Sequence, residues 1–316
     1  MTADDVEAWA RLLADVEAVD RTGEHYTAAD LAEEMANPDV EDLDFIGAFE
    51  DGELVGFASV LPRGPGDGAF KVAVEGAVHP ERRGAGIGTG LAEAMIARAR
   101  QVAKVRRPDL ATRVVTHALA SNRCQCELLT SVGFRPGRSQ LLMRRSLDDV
   151  PEPPAPADGY LIREYDARRA DDVRLAHNLA FDGFHPGFVP WTAEVWAQWE
   201  SGSRTFRPAL SRLVVPKGTE EIVAYLTTHE FEGNQHVTGR REAHVAKLGT
   251  VPSHRGHGLA AALLGHCLRA YADAGYDDAS LNVDAENPTG ARRVYERAGF
   301  RLERESIGYS LDLEDS

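Results

Sequence analysis

The 316-residue sequence lacks the residues that would tie it to an oxidising compartment or to a metal. It contains three cysteines, Cys124, Cys126 and Cys267, and no C-x-x-C pair, so neither a disulfide framework nor a zinc site is indicated. The eleven histidines are scattered, without the i, i+4 spacing of a helical metal site. We therefore expect no bound metal and no disulfide bonds.

Long apolar runs and a basic leader are also missing. The longest strongly apolar run, Leu259 to Leu264, is too short to span a bilayer. The first residues, MTADDVEAWARLL, are acidic where a signal peptide would be basic. With 43% hydrophobic and 27% charged residues, the composition is that of a globular protein. The sequence predicts a soluble, cytoplasmic protein without a membrane partner.

The sequence is poor in positive charge, with a formal net charge of −15. This balance argues against a phosphate-rich partner such as nucleic acid. It is compatible with a cationic substrate, although an acidic surface also serves solubility alone. The oligomeric state stays open between a monomer and a homodimer.

A proline-rich stretch divides the chain near its midpoint. The segment SLDDVPEPPAPADG, residues 146–159, has four prolines among acidic and small residues, which favour an extended spacer. The chain length also favours two domains over one. We predict an N-terminal domain over residues 1–147, a linker over 148–158 and a C-terminal domain over 159–316.

The two halves repeat one order of helices and strands. Each half has two helices, a group of strands, a strand that enters a glycine-rich turn, a long helix, a further strand, a short helix and a last strand. In the first half, Asp51-Gly52 lies between alternating apolar runs and predicts a β-hairpin. The fold class predicted is α/β (α+β), with two tandem domains, each a mixed, mostly antiparallel twisted sheet flanked by helices.

The glycine-rich turns are the clearest repeated motif. The first reads V-H-P-E-R-R-G-A-G-I-G over residues 78–88, and the second reads T-V-P-S-H-R-G-H-G-L-A over residues 250–260. The helix that follows begins with unpaired N–H groups at the positive end of its dipole, and glycines let an anion approach the backbone. A pyrophosphate fits such a site. The alternative is a tight strand-to-helix turn without a ligand.

A second motif follows in the C-terminal half. It reads N-x-x-A-x-x-x-Y-x-x-x-G-F and comprises Asn287, Ala291, Tyr295, Gly299 and Phe300. Together with R-x-x-G-x-G/A after a strand, it resembles the GNAT superfamily of acetyl-CoA-dependent N-acetyltransferases. The tandem layout and the opening DVEAWARLLADVEAVDRTGEHYTAADL resemble the mycothiol-synthase-like subgroup.

The resemblance implies a site for acetyl-CoA. In the family, backbone N–H groups of the turn hold the pyrophosphate, and the preceding strand pairs with the pantetheine arm. A backbone N–H of that strand polarises the thioester carbonyl, which needs no side chain. The residues implied to bind the cofactor are Leu248, Gly249, Thr250, Val251, Arg255, Gly256, His257, Gly258, Leu259, Ala260 and Asn287, with Val78, Arg83, Gly84, Ala85, Gly86, Ile87 and Gly88 in the N-terminal half.

The resemblance also implies that only the C-terminal half is catalytic. The base of the family often lies eleven residues before the motif arginine, which gives His244 in the second half and Val72 in the first. The acid is a tyrosine four residues before the Gly-Phe pair, which gives Tyr295 in the second half and Leu129 in the first. The N-terminal half is therefore expected to be catalytically degenerate, and whether it binds CoA stays open.

The assignment of the base has alternatives. His244 replaces the glutamate more usual in the family, and it could instead bond only to a neighbouring backbone group. Glu242, two residues earlier on the same face of a regular strand, is a second candidate, and water alone is a third. Lys247 is expected on the opposite face and solvated. Tyr295 could simply pack its helix on the sheet.

The acceptor is expected near an aromatic-rich segment, residues 181–199. We predict Asp182, Phe184, His185 and Glu230 as substrate residues, although the aromatic side chains could equally belong to the core. The predicted activity is acetyl transfer to a primary amine of a small molecule, such as an amino sugar, a cysteinyl conjugate or an antibiotic-like amine. The alternatives are a non-catalytic, regulatory acyl-CoA-binding module and a protein lysine acetyltransferase.

Overall fold

The computed structural model describes residues 1–36, 40–66, 68–182, 188–287 and 290–313. The chain forms two compact units, one comprising Met1–Gln140 with Glu305–Ser316 and the other comprising Leu141–Arg304. Among the described residues, no helix is both long and apolar enough to cross a membrane.

Over the residues described, the N-terminal half contains four α-helices and five strands. In chain order they are α1 (Val6–Asp20), α2 (Ala28–Met35), β1 (Phe45–Glu50), β2 (Glu53–Gly66), β3 (Ala69–Val78), α3 (Ile87–Arg106), β4 (Ala111–Leu119), α4 (Arg123–Ser131) and β5 (Arg135–Ser146).

The C-terminal half adds five helices and six strands over the residues described. They are β6 (Tyr160–Glu164), α5 (Ala170–Phe181), α6 (Ala193–Trp196), β7 (Arg212–Pro216), β8 (Ala224–His229), α7 (Glu232–Thr238), β9 (Glu242–Thr250), α8 (Leu259–Asp273), β10 (Asp278–Asp284), α9 (Ala291–Arg297) and β11 (Arg301–Leu313). Helix α6 continues as a π-helical turn, Ala197–Ser201.

In the first unit, β1, β2 and β3 form an antiparallel meander, and β3 pairs parallel with β4. The turn between β1 and β2 has positive φ at Asp51 (51°) and Gly52 (86°), which confirms the predicted hairpin. Helix α3 packs on the sheet face that carries Val72. Helices α1 and α2 cover the other face, where the rings of Trp9 and Phe57 lie 5.0 Å apart.

In the second unit the sheet order is β5-β10-β9-β8-β7-β6. Strands β9 and β10 are parallel, whereas β6, β7, β8 and β9 pair antiparallel in succession. Helix α8 packs on the face that carries Val245, and α5 and α6 cover the face that carries Tyr225. Both sheets are therefore mixed and mostly antiparallel, which confirms the predicted fold class.

The compact units differ in their bounds from the predicted segments 1–147 and 159–316. The end of β11, Ser306–Leu313, pairs antiparallel with β4 and belongs to the first unit. The last part of β5, from Leu141, belongs to the second unit, where β5 is the neighbour of β10. Each unit thus takes one strand segment from the other half of the chain.

The proline-rich segment has no regular secondary structure between residues 150 and 157 and lies against α8. A Cβ at Gly265 would come within 2.7 Å of the Pro154 ring, so the glycine permits close contact. Val150 and Ala157 pack against the core of the second unit. The segment is extended, as expected, and it is also packed.

Candidate active site

The glycine-rich turn of the second unit is built as the sequence predicts. Gly256 and Gly258 have φ of 81° and 69°, which L side chains rarely adopt, and both are exposed. The first intrahelical bond of α8 is donated by the Ala262 N–H to the Gly258 carbonyl (3.0 Å). The N–H groups of Leu259 and Ala260 therefore point out of the helix end, beside the exposed glycines.

The first unit has the same turn. Gly84 and Gly86 have φ of 78° and 84°, and the Gly90 N–H donates the first intrahelical bond to Gly86 O (3.0 Å). A Cβ at either positive-φ glycine would meet nothing within 4 Å, so backbone conformation and not crowding requires glycine there. The remaining N-terminal cofactor candidates, Val78, Ala85, Ile87 and Gly88, lie at the end of β3, in this turn and in the first residues of α3.

The motif arginines brace the turns. Arg255 donates from Nε to the Thr250 carbonyl (3.1 Å) and from Nη2 to the Ala180 carbonyl (2.6 Å), which ties the turn to the end of α5. Arg83 donates in the same way to Val78 O (3.2 Å), and its Nη atoms contact Asp20 at 2.8 Å. Both arginines thus donate hydrogen bonds within the protein that hold the turns in place.

The two parallel strands of the second unit separate next to the turn. The register of β9 with β10 runs from Glu242 to Val245, whereas β9 continues along β8 to Thr250. Alternate backbone groups of residues 246–250 therefore face the gap that opens beyond β10. The predicted pantetheine segment, Leu248 to Val251, and the predicted Asn287, which follows β10, both border this gap.

Tyr225 closes one side of β9 at Gly249. A Cβ on Gly249 would lie 2.5 Å from a ring carbon of Tyr225, so only glycine allows the ring to cover this backbone. The Tyr225 hydroxyl is 2.5 Å from Nδ1 of buried His177.

A β-bulge shapes β9 beside the gap. Thr227 is paired with Lys247 and Thr228 with Val245, so Ala246 is an extra residue on β9. The bulge turns Lys247 to the same face as His244, and the expectation that Lys247 lies solvated on the opposite face is wrong. An extra residue reverses the alternation on which that expectation depended.

His244 lies on the last part of β9 that is paired with β10. Its Nδ1 is 2.9 Å from Oγ of Ser280, the residue opposite it on β10, and the Phe231 ring stands edge-on at 5.8 Å. Burial, and next the neighbouring His229 and Lys247, lower the pKa of His244 to about 4. The imidazole is therefore neutral at pH 7, and the residue is only half-buried.

Glu242 lies on the same face of β9 as His244, as expected, because both side chains contact Ser280. The Ser280 hydroxyl donates to Oε1 of Glu242 at 2.5 Å, and the other carboxylate oxygen contacts the Arg144 guanidinium. Glu242 is 8% exposed. Its carboxylate is thus engaged on both oxygens.

Tyr295 projects from α9 into the apolar cluster that includes Leu259 and Val245. It is 8% exposed, and burial raises its pKa to about 12, so the hydroxyl keeps its proton at neutral pH. Leu129, four residues before Gly133 in the first unit, is a buried core residue there.

Residues 8–124 and 174–300 match the sequence profile of the Acetyltransferase (GNAT) family. The chain belongs to this family. The two matched regions correspond to the two glycine-rich turns with their sheets, and they confirm the tandem organisation predicted from the sequence.

Relatives of this GNAT protein carry a more specific name. A mycothiol acetyltransferase from Mycolicibacterium vanbaalenii is 32% identical over 269 residues, covering 84% of this chain and 82% of the relative. A GCN5-related N-acetyltransferase from Sphaerobacter thermophilus has a TM-score of 0.80 at 26% identity, covering 100% of this chain and 95% of the other. A tandem GNAT protein from the clavulanic acid biosynthesis pathway shares the fold, with a TM-score of 0.70 at 19% identity and coverage of 100% and 98%. The resemblance to the mycothiol-synthase-like subgroup is confirmed.

Beside the candidate base, the second unit contains a buried ion pair. Glu200, in the π-helical turn, has no exposed surface and lies 2.7 Å from Lys247 Nζ and 3.2 Å from His229 Nε2. Burial works to raise the pKa of Glu200, but the His229 hydrogen bond and the Lys247 charge outweigh it and lower the pKa to about 2. Lys247 also lies over the Trp191 ring at 4.6 Å.

The four predicted substrate residues have different surroundings. Asp182 is exposed at the C-terminal end of α5, and Phe184 and His185 lie outside the described residues. Glu230 is 9% exposed and accepts hydrogen bonds from Arg207 (2.7 Å), Arg241 (3.1 Å) and Tyr276 (2.7 Å). The hydrogen-bond partners of Glu230 are thus protein side chains.

The aromatic segment divides between core and surface. Trp196 is 2% exposed and belongs to the core under α5, whereas Trp199 is 46% exposed. Trp191 covers Lys247 beside the site. The core interpretation therefore holds for Trp196, and a role of the segment in binding the acceptor stays a prediction.

The first unit lacks the bulge. The register of β3 with β2 is regular from Val72 to Val78, so the residue at the position of His244 is Ala73 and not Val72. Ala73 is paired with Val115 on β4, as His244 is paired with Ser280. The count of eleven residues was wrong by one for this half, because it assumed equal strand geometry.

Several polar residues at the site were not predicted. Glu200, His229 and Ser280 have no sequence motif, and they come together only when β8, β9, β10 and the π-helical turn are assembled. The short helix α7, which carries no predicted role, begins after Phe231, the residue whose ring stands over His244. The signal that could have indicated Ser280 is a polar residue on β10 at the position paired with the candidate base.

Proposed function

We propose that this protein transfers an acetyl group from acetyl-CoA to a primary amine of a small molecule, and that the C-terminal unit performs the chemistry. The observation that carries the proposal is the position of neutral His244 where β9 and β10 begin to separate, on the strand that leads into the glycine-rich turn. The names of the relatives make an amine related to mycothiol the first acceptor to test.

The turn fits the diphosphate of coenzyme A on its own geometry. Gly256 and Gly258 are exposed, and a side chain at either would stand in the open space in front of the N-terminus of α8. Leu259 and Ala260 present N–H groups there, at the positive end of a 15-residue helix. The backbone of Leu248 to Thr250 would hold the arm of the ligand, which supplies the activated acetyl group.

The amine can lose its proton before or after it attacks the thioester, and His244 suits the transfer after the attack. A base with a pKa near 4 cannot deprotonate a free ammonium group, whose pKa is about 8 to 10. It can accept the proton of the far more acidic ammonium that forms once the amine has attacked the thioester. The amine must therefore arrive neutral, and His244 then prevents the attack from reversing.

Backbone and tyrosine provide the other two requirements. N–H groups of β9 beyond the bulge at Ala246 face the gap and can donate to the developing oxyanion. The pKa of Tyr295 is near 12 and that of an ordinary thiol is 8.5, so full transfer of the tyrosine proton to the thiolate would be unfavourable by about 3.5 pKa units. Its role is therefore chiefly to donate a hydrogen bond to the leaving sulfur.

The N-terminal unit is proposed to bind acyl-CoA without turning it over. Its turn has the same positive-φ glycines, Gly84 and Gly86, but Ala73 and Leu129 occupy the positions of the base and the acid. This observation favours the acyl-CoA-binding alternative for that unit alone.

Thiol release from acetyl-CoA with a panel of amines tests the activity. We expect turnover with a small-molecule amine, and a fall in kcat of roughly 10- to 100-fold in Tyr295→Phe, because one hydrogen bond to the thiolate is lost. Tyr309→Phe, a buried tyrosine of the first unit, is the matched control and should keep full activity.

The outcomes separate the alternatives. If no amine raises thiol release while CoA still raises the melting temperature, the protein is a binding module and the proposed activity is wrong. If mass spectrometry shows acetylated protein lysines and no acetylated small molecule, the lysine acetyltransferase alternative holds.

A further inference from the structure

Three polar side chains of the second unit form one chain of hydrogen bonds that ends at the candidate base. Nδ1 of His244 is 2.9 Å from Ser280 Oγ, and Ser280 Oγ is 2.5 Å from Oε1 of Glu242. Ser280 has no exposed surface, and Glu242 is 8% exposed. None of the three belongs to the glycine-rich turn.

The direction of each hydrogen bond follows from the Glu242 carboxylate, at the other end of this series of hydrogen bonds. Glu242 forms an ion pair with Arg144, and an ionised carboxylate can only accept. The single proton of Ser280 is therefore donated to Glu242. Ser280 Oγ must then accept its second hydrogen bond from His244, which requires a proton on Nδ1.

We propose that Ser280 and Glu242 are positioning residues that hold His244 in the tautomer protonated on Nδ1, so that Nε2 is the nitrogen that accepts the proton of the substrate amine. The inference rests on the proposed function for the role of Nε2, whereas the tautomer itself does not depend on it. A neutral imidazole has one N–H, so fixing it on Nδ1 leaves the lone pair on Nε2.

The charged surroundings of His244 favour a neutral imidazole. Electrostatic interactions with His229, Lys247 and Arg144 oppose a positive imidazole at His244, and Glu200 favours one. Glu200 is already engaged by Lys247 and His229. Glu242 is thus linked to His244 by hydrogen bonds through the hydroxyl of Ser280, as an orienting group.

Glu242→Gln is the sharpest variant because it can reverse the chain. The Gln amide can donate to Ser280, which frees the serine proton for Nδ1 of His244 and moves the imidazole proton to Nε2. We expect roughly a 10- to 100-fold fall in kcat, with the KM of both substrates changed less than about twofold. Glu303→Gln removes another carboxylate that pairs with Arg144 (2.5 Å) and is the matched control.

The tautomer is measured directly by NMR. In protein labelled with ¹⁵N-histidine, long-range ¹H–¹⁵N spectra give different shifts for the protonated and unprotonated ring nitrogens. His244→Asn identifies the signals of this residue among the eleven histidines. We expect protonated Nδ1 in the wild type and in Glu303→Gln, and protonated Nε2 in Glu242→Gln.

Serine variants provide a second route if Glu242→Gln does not fold. Ser280→Ala should lose the fixed tautomer and about as much kcat, and Ser280→Thr, which keeps the hydroxyl, should restore both. Wild-type His244 protonated on Nε2, or a Glu242→Gln enzyme with unchanged kcat and unchanged tautomer, would overturn the proposal. If the wild type acetylates no amine, the proposed function fails, and the ¹⁵N shifts alone decide the positioning role.

Discussion

The two units share a glycine-rich turn but differ in the strand that leads into it. In the second unit, Ala246 is an extra residue on β9. His244 and Lys247, which lie on either side of it, therefore share a face. In the first unit, β3 is regular along the same stretch, and Ala73 stands at the position of His244. One inserted residue thus changes which side chains face the helices that cover the site.

The charges at this face also differ between the units. Lys247 and Glu75 both lie eight residues before the motif arginine. Lys247 is paired with a buried carboxylate, Glu200, whereas Glu75 acts electrostatically on two other carboxylates, Glu24 and Glu34. Burial, and next Glu75, raise the pKa of Glu34 to about 7. At this position the second unit thus has a lysine paired with a buried carboxylate, whereas the first has a glutamate close to other carboxylates.

Under the proposed function, this contrast means that a duplicated fold can keep its ligand turn and lose its catalytic face independently. The turn depends on backbone conformation at a few glycines, which both units retain. The catalytic face depends on strand register and on side chains from four separate elements. The second set of requirements is more easily lost.

Substituting equivalent glycines would have the largest expected effect on the contrast. Gly258→Glu places a carboxylate in front of the N-terminus of α8, where it occupies the anion position and repels a diphosphate. We expect kcat/KM for acetyl-CoA to fall roughly 100- to 1000-fold. Gly86→Glu, at the equivalent position of the first unit, should keep most of the activity. The assay is thiol release at saturating amine.

Gly258→Asn is the control for backbone strain, because asparagine tolerates positive φ and carries no charge. It should retain much more activity than Gly258→Glu. Equal losses in Gly258→Glu and Gly86→Glu would show that the N-terminal turn takes part in catalysis, and the division between the units would be wrong.

Removing a charge from each unit sharpens the comparison of their buried faces. Glu200→Gln leaves the ammonium of Lys247 without its buried partner, and we expect the free energy of unfolding to fall by about 3 kcal/mol. Glu75→Gln relieves repulsion on Glu34 and should change it by less than about 1 kcal/mol, in the stabilising direction. Urea titrations at pH 7 measure both. A loss of similar size in the two variants would contradict the contrast.

Local patterns made much of the fold predictable from the sequence. Asp51-Gly52 indicated the first hairpin, and both residues adopt the positive φ that the turn needs. The glycine-rich turns were predictable because their requirement, backbone at positive φ before a helix, is written in consecutive residues such as Gly256 and Gly258. Helix α3, the long helix predicted after the first glycine-rich turn, spans Ile87–Arg106.

Features that depend on pairing between distant strands were not predictable. The bulge at Ala246 appears only in the register of β9 against β8, and an alternating pattern gives no sign of it. Ser280 meets His244 because β10 is parallel to β9 in one particular register. The strand segments that the units take from each other also follow from pairing, since Ser306–Leu313 finds its partner in β4.

Acidification should affect the stability of the two units in opposite directions. Burial lowers the pKa of His177 to about 3. The unfolded chain, with histidine near 6.5, binds a proton first, so the second unit loses stability as the pH falls below 6.5. At pH 5 the loss from His177 is about 2 kcal/mol relative to pH 7.

Glu34 has the opposite sign. Its folded pKa of about 7 lies above the ordinary 4.5, so the folded state binds the proton first and the first unit gains about 2 kcal/mol between pH 7 and pH 5. Hydrogen exchange followed by mass spectrometry, read on peptides from each unit, measures the two slopes separately. His177→Asn should reduce only the slope of the second unit, to which His244 with its pKa of about 4 also contributes, and Glu34→Gln should reduce only that of the first. Slopes of the same sign in both units would contradict this prediction, because a buried neutral histidine and a carboxyl group of raised pKa respond to acid in opposite directions.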